Sequence, residues 1–432
     1  MKTGFKQFLL LWGTSLVSAT GSGMTSFALG IYIFQETGLA SLTGLLILLG
    51  FLPGLLLTPF AGILADRIDR RLLMMLGDGL SILGLVVILF SIFFLDSKQQ
   101  IWGIGSGVAI SSVFSSFVEP AFRATISDLL DKEDFSRASG LVQLVSSARY
   151  LLSPILAGSI LSFTSIHIIL IIDMLTIVLT LPVTHLVRKK MIVQSEQENH
   201  SIQEDFHFAF QLLYQKKGVW LLVLFGILVS FCLGVVQTLM GPIVLAYADA
   251  RFLGFLTTFS SCGMVAAGLF LGKYKIRKQF VSVLSVSLLL VGIAMIGFFI
   301  RENRSLTCFF GFSLFASLTF CNTALDYLVR TNLPNQHQGK VWGLIGIISQ
   351  AGYVVAYASI GLIADYLIKP LLMKNGPLAP SLGKLIGVGP GRGAAFTVIL
   401  AGLLLIATSF FFSQNYHIKE LEDVHALETR KK

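Results

Sequence analysis

Gly62-Ile63-Leu64-Ala65-Asp66-Arg67-Ile68-Asp69-Arg70-Arg71 is a short charged stretch between two apolar runs, roughly Ser41–Leu64 and Leu72–Leu95. Each run has the ~20 residues that an α-helix needs to cross the ~30 Å hydrocarbon core of a bilayer. The stretch therefore reads as a tight loop joining two membrane-crossing helices, with its arginines gathered on one side of the membrane.

Outward from this loop the same pattern recurs. The first half carries apolar runs at roughly Phe5–Phe34, Ser41–Leu64, Leu72–Leu95, Ile101–Ile126, Ser136–Phe163 and Ile166–Val187. The second half carries them at roughly Gly218–Tyr247, Phe252–Gly272, Phe280–Ile300, Ser305–Val329, Val341–Ile368 and Ala394–Phe412. Composition agrees, with 54% apolar and 13% charged residues in 432 and a mean hydropathy of +0.80. A soluble chain carries about a quarter charged residues, so a cytosolic enzyme is excluded. Disorder and a β-barrel are excluded by the length of the apolar runs. Lys2 and Lys6 ahead of an apolar run resemble a signal peptide, but the run is too long for an h-region and is expected to be an uncleaved first span.

Of the 32 Lys and Arg, 23 fall on one side of a twelve-span alternation, 8 on the other, and Arg149 lies within a span. This asymmetry, rather than nucleic-acid binding, accounts for the net charge of +9 and predicts both termini in the cytoplasm. Cys232, Cys262, Cys308 and Cys321 all sit in apolar runs without ligand spacing, and the seven histidines are scattered. Neither a metal site nor a disulfide framework is expected. No G-x-x-x-x-G-K-[ST] loop occurs, so no ATP-driven step and no cofactor are expected.

The expected organisation is all-α, with a six-helix bundle over 1–187, a cytoplasmic linker over 188–217, a second bundle over 218–415 and a tail over 416–432. Within the linker, Ser201 and Glu204 have capping-box spacing, and Ile202, Phe206, Phe210 and Leu213 share a helical face. A short helix on the membrane surface is expected there, with a tether as the alternative. The two halves repeat at an offset of 203: Gly140, Ser146, Tyr150 and Gly158 meet Gly343, Ser349, Tyr353 and Gly361 without a gap. Two parallel six-helix repeats mark a secondary transporter.

The Gly62–Arg71 loop resembles the G-x-L-A-D-R-x-G-R-R signature of the major facilitator superfamily, with Asp69 where glycine is usual. As the resemblance implies, Gly62, Asp66, Arg67, Arg70 and Arg71 form a conformational latch. In it Gly62 would let helices approach, Asp66 would meet the N-terminus of a helix starting near Gly339, and Arg70 and Arg71 would bridge to Asp128 or Asp131. Asp78, near the start of span three, is expected to support that latch. Three further stretches resemble the macrolide-efflux-type group: Phe51-Leu52-Pro53, Glu119-Pro120-Ala121-Phe122-Arg123, and Ser139-Gly140 with Ser153-Pro154 and Ala157-Gly158. Gly140, Ser153, Pro154 and Gly158 are similar to the helix-bending motif of span five in antiporters. Two departures stand out: span four lacks the arginine of many proton antiporters, and Gly272 replaces the aspartate in the second-half loop.

An ionisable side chain at the centre of a membrane helix costs about 2.5–3.5 kcal/mol on insertion scales, so each one needs a reason. Glu119 is the first candidate for proton exchange, with Arg149 as its partner; the alternative is a permanent ion pair. Asp326 is the second candidate, with a local pair to Arg330 as the alternative. Asp173 is expected to pair with Arg149 and orient it, and Asp365 to serve structurally. Phe114, Phe117, Tyr150, Phe320, Tyr353 and Tyr357 either line a pocket or pack between helices. The segment from Lys369 to Gly393 is too rich in glycine and proline for a continuous helix and reads as an outer loop.

The expected function is export of a hydrophobic or amphipathic small molecule, drug- or macrolide-like, coupled to proton entry by alternating access. The expected setting is the bacterial inner membrane, as a monomer among lipids, with no nucleic-acid partner. A lysolipid flippase, an importer of a polar solute and a non-transporting sensor are the alternatives.

Overall fold

The computed structural model describes residues 3–130, 134–188, 210–274, 276, 279–333 and 338–429. Among them no strand occurs, and twelve helical stretches are long and apolar enough to span a bilayer. The first six spans are α1 (Thr3–Thr37), α2 (Ala40–Arg67), α3 (Arg70–Phe94), α4 (Ser97–Ser115) with α5 (Val118–Leu129), α6 (Phe135–Leu151) with α7 (Ser153–Leu161), and α8 (Ile166–Arg188). The second six are α9 (Lys217–Val244), α10 (Ala250–Lys273), α11 (Phe280–Phe299), α12 (Arg304–Thr331), α13 (Gln338–Leu362) and, after the short α14 (Leu382–Ile386), α15 (Arg392–Gln414). A last helix, α16 (Tyr416–Thr429), follows them.

Two spans are broken where the apolar run alone predicts continuity. Span four breaks at Ser116 and Phe117, and Pro120 then falls in the first turn of α5. Span five breaks at Leu152, with Pro154 at the start of α7. A proline has no N–H to donate, which costs nothing in a first turn and a great deal in a helix interior. At the position related to Pro154 by the 203-residue offset stands Tyr357, and α13 runs through it unbroken to Leu362. A π-helical turn, Ile363–Ile368, continues α13 into the loop.

The chain forms two compact units. One holds the described residues of Met1–Glu198 with Asp249–Thr258, the other those of Asn199–Ala248 and Phe259–Lys432. In the first unit α1 packs on α6, α7 and α8, and α3 packs on α4 and α8. In the second, α9 packs on α13 and α15, and α11 on α12 and α15. The first and fifth, first and sixth, third and fourth, and third and sixth spans of each half are therefore the partners, so the weak sequence repeat is also a repeat of packing. Of the expected linker, residues 189–209, which include Ser201, Glu204 and Phe206, lie outside the described residues; residues 210–215 are helical.

The first unit has two apolar cores. One gathers Met24, Leu29, Leu85, Ile88, Ile104 and Ile169; the other gathers Phe5, Phe8, Leu73, Met74, Phe122 and Val142. Helices α1, α3 and α8 pass through both, and the polar residues that these helices share lie along the seam.

Candidate functional site

The seam begins with glycine. A Cβ at Gly21 on α1 would sit 2.6 Å from Thr176 Oγ1 and 3.0 Å from Asp173 Oδ1, so the bare backbone is what admits these α8 side chains. One turn of α1 supplies Ser22 and Thr25, and successive turns of α8 supply Asp173, Thr176, Thr180 and Thr184. Ser22 donates its hydroxyl to Asp173 Oδ1 at 3.2 Å. From α3, Asp78 accepts from Thr180 Oγ1 at 3.4 Å. Asp173 is 2% exposed. Thr176 and Thr180 also donate to the Asp173 and Ile177 carbonyls, in the usual way for hydroxyls in membrane helices.

Arg149, in the last turn of α6, interacts electrostatically with both Asp78 and Asp173. Its guanidinium is solvent-accessible while Asp173 is enclosed. The expected link between Asp173 and Arg149 thus takes the form of a through-space interaction that includes Asp78. Asp78, expected to support the charged loop, instead accepts from Thr180 and interacts electrostatically with Asp173 and Arg149. It lies just over two helical turns into α3, about 12 Å from the start at 1.5 Å per residue, and so reaches the seam.

Glu119 stands in the first turn of α5, 57% exposed, with Arg123 Nη2 2.9 Å from its carboxylate. A carboxylate is favoured there by the helix dipole, and an exposed i,i+4 pair contributes no more than about 1 kcal/mol. The enclosure expected for Glu119 is not found, because the break ahead of Val118 turns this position into a helix start. Asp326 is likewise paired locally, 3.4 Å from Arg330 Nε and 49% exposed.

The charged loop is built on caps. Asp69, at the position where the signature has glycine, is the N-cap of α3 and accepts from the Arg71 amide at 3.0 Å. Arg70 donates to the Ala65 carbonyl near the end of α2 at 3.1 Å and to the Ala124 carbonyl in the middle of α5 at 2.9 Å. Arg71 is 1% exposed and donates to the Val187 carbonyl, at the end of α8, at 3.5 Å. Both cations therefore sit where helix dipoles end in negative charge. The side chains of Asp66, Arg67 and Asp128, and all of Asp131, lie outside the described residues. Among the described residues nothing lies within 4 Å of a Cβ placed at Gly62. The same holds at Gly140.

In span five, Ser153 is fully buried and donates to the Thr20 carbonyl of α1 at 2.9 Å. Gly158, within the first unit, packs 3.2 Å from the Gly254 Cα if given a Cβ. In the second unit Tyr357 donates to Gln237 Oε1 at 2.5 Å and stacks with Tyr353, 5.8 Å between ring centroids.

Residues 11–367 match the sequence pattern of the Major Facilitator Superfamily. The chain belongs to that superfamily. Within it, the chain is 26% identical over 375 residues to macrolide efflux protein A of Streptococcus pyogenes, spanning 83% of this chain and 89% of that protein. It is 27% identical over 317 residues to macrolide efflux protein A of Enterococcus faecalis, 70% of this chain and 94% of that one. Solved superfamily structures share the fold. A bacterial homologue of the human lysosomal transporter Spinster, inward-facing and unoccupied, superposes with a TM-score of 0.68 at 15% identity, covering 98% of this chain and 99% of that one. A bacterial homologue of the iron transporter ferroportin gives 0.69 at 14% identity, covering 95% and 99%. The protein is thus a twelve-span membrane transporter of the superfamily.

The hydroxyl-lined carboxylates were legible only in part. The signal is a spacing: Thr176, Thr180 and Thr184 at four-residue steps in one apolar span, facing a first span with Gly21, Ser22 and Thr25. Polar side chains on one face of otherwise apolar helices mark helix contacts inside a membrane protein.

Proposed function

We propose that this chain exports a hydrophobic or amphipathic small molecule of the macrolide class by alternating access, coupled to proton entry. The similarity to the two macrolide efflux proteins along most of the chain is the observation that carries the reading. Its weight comes from coverage of 83% and 70% of the chain, since a transporter's substrate path draws on both repeats. Titratable groups inside the spans supply what coupling needs, and a proton crossing 100 mV releases about 2.3 kcal/mol. Glu119 and Asp326 sit in exposed local pairs, while Arg149 acts on two carboxyls, so the coupling is assigned to the Arg149 side of the first unit. The protein is assigned to the bacterial inner membrane, as a monomer, with both termini in the cytoplasm.

Everted vesicles from cells making the full chain test the proposal. Radiolabelled erythromycin is expected to accumulate when the interior is acidified, and a protonophore is expected to abolish it. Accumulation of a lysolipid or a dye in place of the macrolide would reassign the substrate class. Accumulation unaffected by the protonophore would remove proton coupling.

A further inference from the structure

Asp173 meets the physical requirements of a group that changes charge during a transport cycle. It is 2% exposed, and its α8 neighbours Leu170 and Ile177 both belong to one apolar core. An ionised carboxylate in such a place is costly unless it is hydrogen-bonded, paired or protonated. Its hydrogen-bond partner Ser22 is a hydroxyl, which can donate to a carboxylate and accept from a carboxylic acid. Thr25 extends this property. Its hydroxyl lies in a 6% exposed side chain within reach of Asp173, yet forms no hydrogen bond of normal geometry among the described residues. An acceptor is therefore waiting beside Asp173 for a carboxyl O–H.

The charged groups that bear on Asp173 can be named helix by helix. From α3 comes Asp78, and from α6 comes Arg149. Arg70 and Arg71 of α3 lie at its first turn, engaged with carbonyls. On α1, Lys6 and Glu36 stand near the two ends, and Tyr32 accepts from Gln100 at 2.9 Å. The α7 helix carries no ionisable side chain. On α8 itself, His167, His185 and Arg188 stand near the ends. Two carboxyls thus share one cation, and the cation is on the accessible side. Such a set holds one more proton, or one fewer, according to what else approaches Arg149.

We propose that Asp173, buried on α8 against α1, and Asp78, partly buried on α3, are the proton-carrying pair of this transporter, with Ser22 and Thr25 accommodating both charge states and Arg149 as the point where substrate is sensed. The step is a proton exchange with water: the carboxylate takes one proton from hydronium on one side and returns it to water on the other. No other bond forms or breaks. The inference deepens the proton-coupled export proposed above and rests on it for its place in the cycle.

Two measurements on the purified full chain in lipid vesicles test it. The first is an infrared pH titration without substrate. Wild type is expected to show a protonated-carboxyl band that titrates, shifted in position by Asp78→Asn and lost in Asp173→Asn. A titrating band that survives both substitutions unchanged overturns the inference, whatever the substrate proves to be. The second is transport. Asp173→Asn is expected to keep exchange of internal for external erythromycin while gradient-driven accumulation falls by about tenfold or more. Gradient-driven accumulation within about twofold of wild type, in a folded Asp173→Asn protein, overturns the inference and leaves proton-coupled export standing. Loss of proton dependence in wild type itself overturns the export reading, and is told apart because it needs no variant. If Asp173→Asn does not fold, Thr25→Ala replaces it: a displaced titration midpoint supports the pair, and an unmoved one overturns it.

Discussion

Gly352 on α13 lies against the backbone of Ile227 on α9 so closely that a Cβ there would overlap the Ile227 carbonyl oxygen. In the first repeat the corresponding position is Arg149, and the glycine is on the facing helix instead: a Cβ at Gly23 would lie 3.3 Å from the Arg149 Cα. Close approach in membranes depends on such residues, because packing rather than hydrophobicity drives association there.

Gly352→Val is therefore expected to destabilise the second unit by about 3 kcal/mol, the upper range for overpacking. At Gly343 nothing among the described residues lies within 4 Å of an added Cβ. Gly343→Ala is expected to stabilise by about 0.5–1 kcal/mol through helix propensity alone. Thermal unfolding in detergent, followed by retention of a monodisperse peak, checks both; equal effects at the two glycines would refute the packing argument.

Asp69 offers a test in which the superfamily's usual residue is the mild substitution. It caps α3 by accepting from the Arg71 amide at 3.0 Å. Loss of such a cap to alanine costs about 1 kcal/mol, while glycine costs a few tenths. Asp69→Gly is expected to unfold close to wild type and Asp69→Ala several tenths of a kcal/mol lower or more. The reverse order would show that Asp69 acts through its charge on Arg71, whose Nε lies 3.6 Å away.

These cases mark what was legible in the sequence. Twelve spans follow from apolar run length, which is set by bilayer thickness and owes little to detail. The break at Ser116 was not legible, because Pro120 is tolerated in a first turn and nothing in an apolar run marks where that turn begins, whereas Ser153 and Pro154, beside the break at Leu152, were read as part of a helix-bending motif. The local pair of Glu119 with Arg123 was missed for that reason. Asp78 was assigned to the charged loop because sequence distance gives depth along a helix but not the neighbour it meets. Asp69 was noticed only as a departure, although an aspartate just before a helix is a cap signal in its own right.

The C-terminal helix is expected to brace the second unit. Ile418 is fully buried and Leu421 nearly so, and Glu422 accepts from the Phe280 and Val281 amides at 3.0 and 3.4 Å. Asn332 donates from α12 to the Leu421 carbonyl at 3.1 Å. Glu422→Ala would leave the first amides of α11 without this acceptor, at a cost of about 1 kcal/mol. Ile418→Asp would bury a charge and is expected to cost several kcal/mol, released by fraying of α16. Limited proteolysis reads this directly: accelerated cleavage after Tyr416 is expected in Ile418→Asp and slight acceleration in Glu422→Ala. Cleavage at the wild-type rate in both would detach the helix from any bracing role.

Glu119→Gln separates the two places where a proton could be exchanged. Its carboxylate and Arg123 are both more than half exposed, so water already solvates the charge and the pair contributes at most about 1 kcal/mol. Removing that charge alters neither the hydroxyls around Asp173 nor the field of Arg149. Gradient-driven accumulation in everted vesicles is therefore expected to stay within about twofold of wild type, with some loss of stability from the first turn of α5. The comparison is made against Arg149→Gln in the same vesicles, where accumulation is expected to fall by about tenfold while the protein remains folded, because an accessible arginine is not required for packing. If Glu119→Gln loses the gradient response and Arg149→Gln keeps it, proton exchange belongs to the exposed α5 pair and the buried carboxyls are structural.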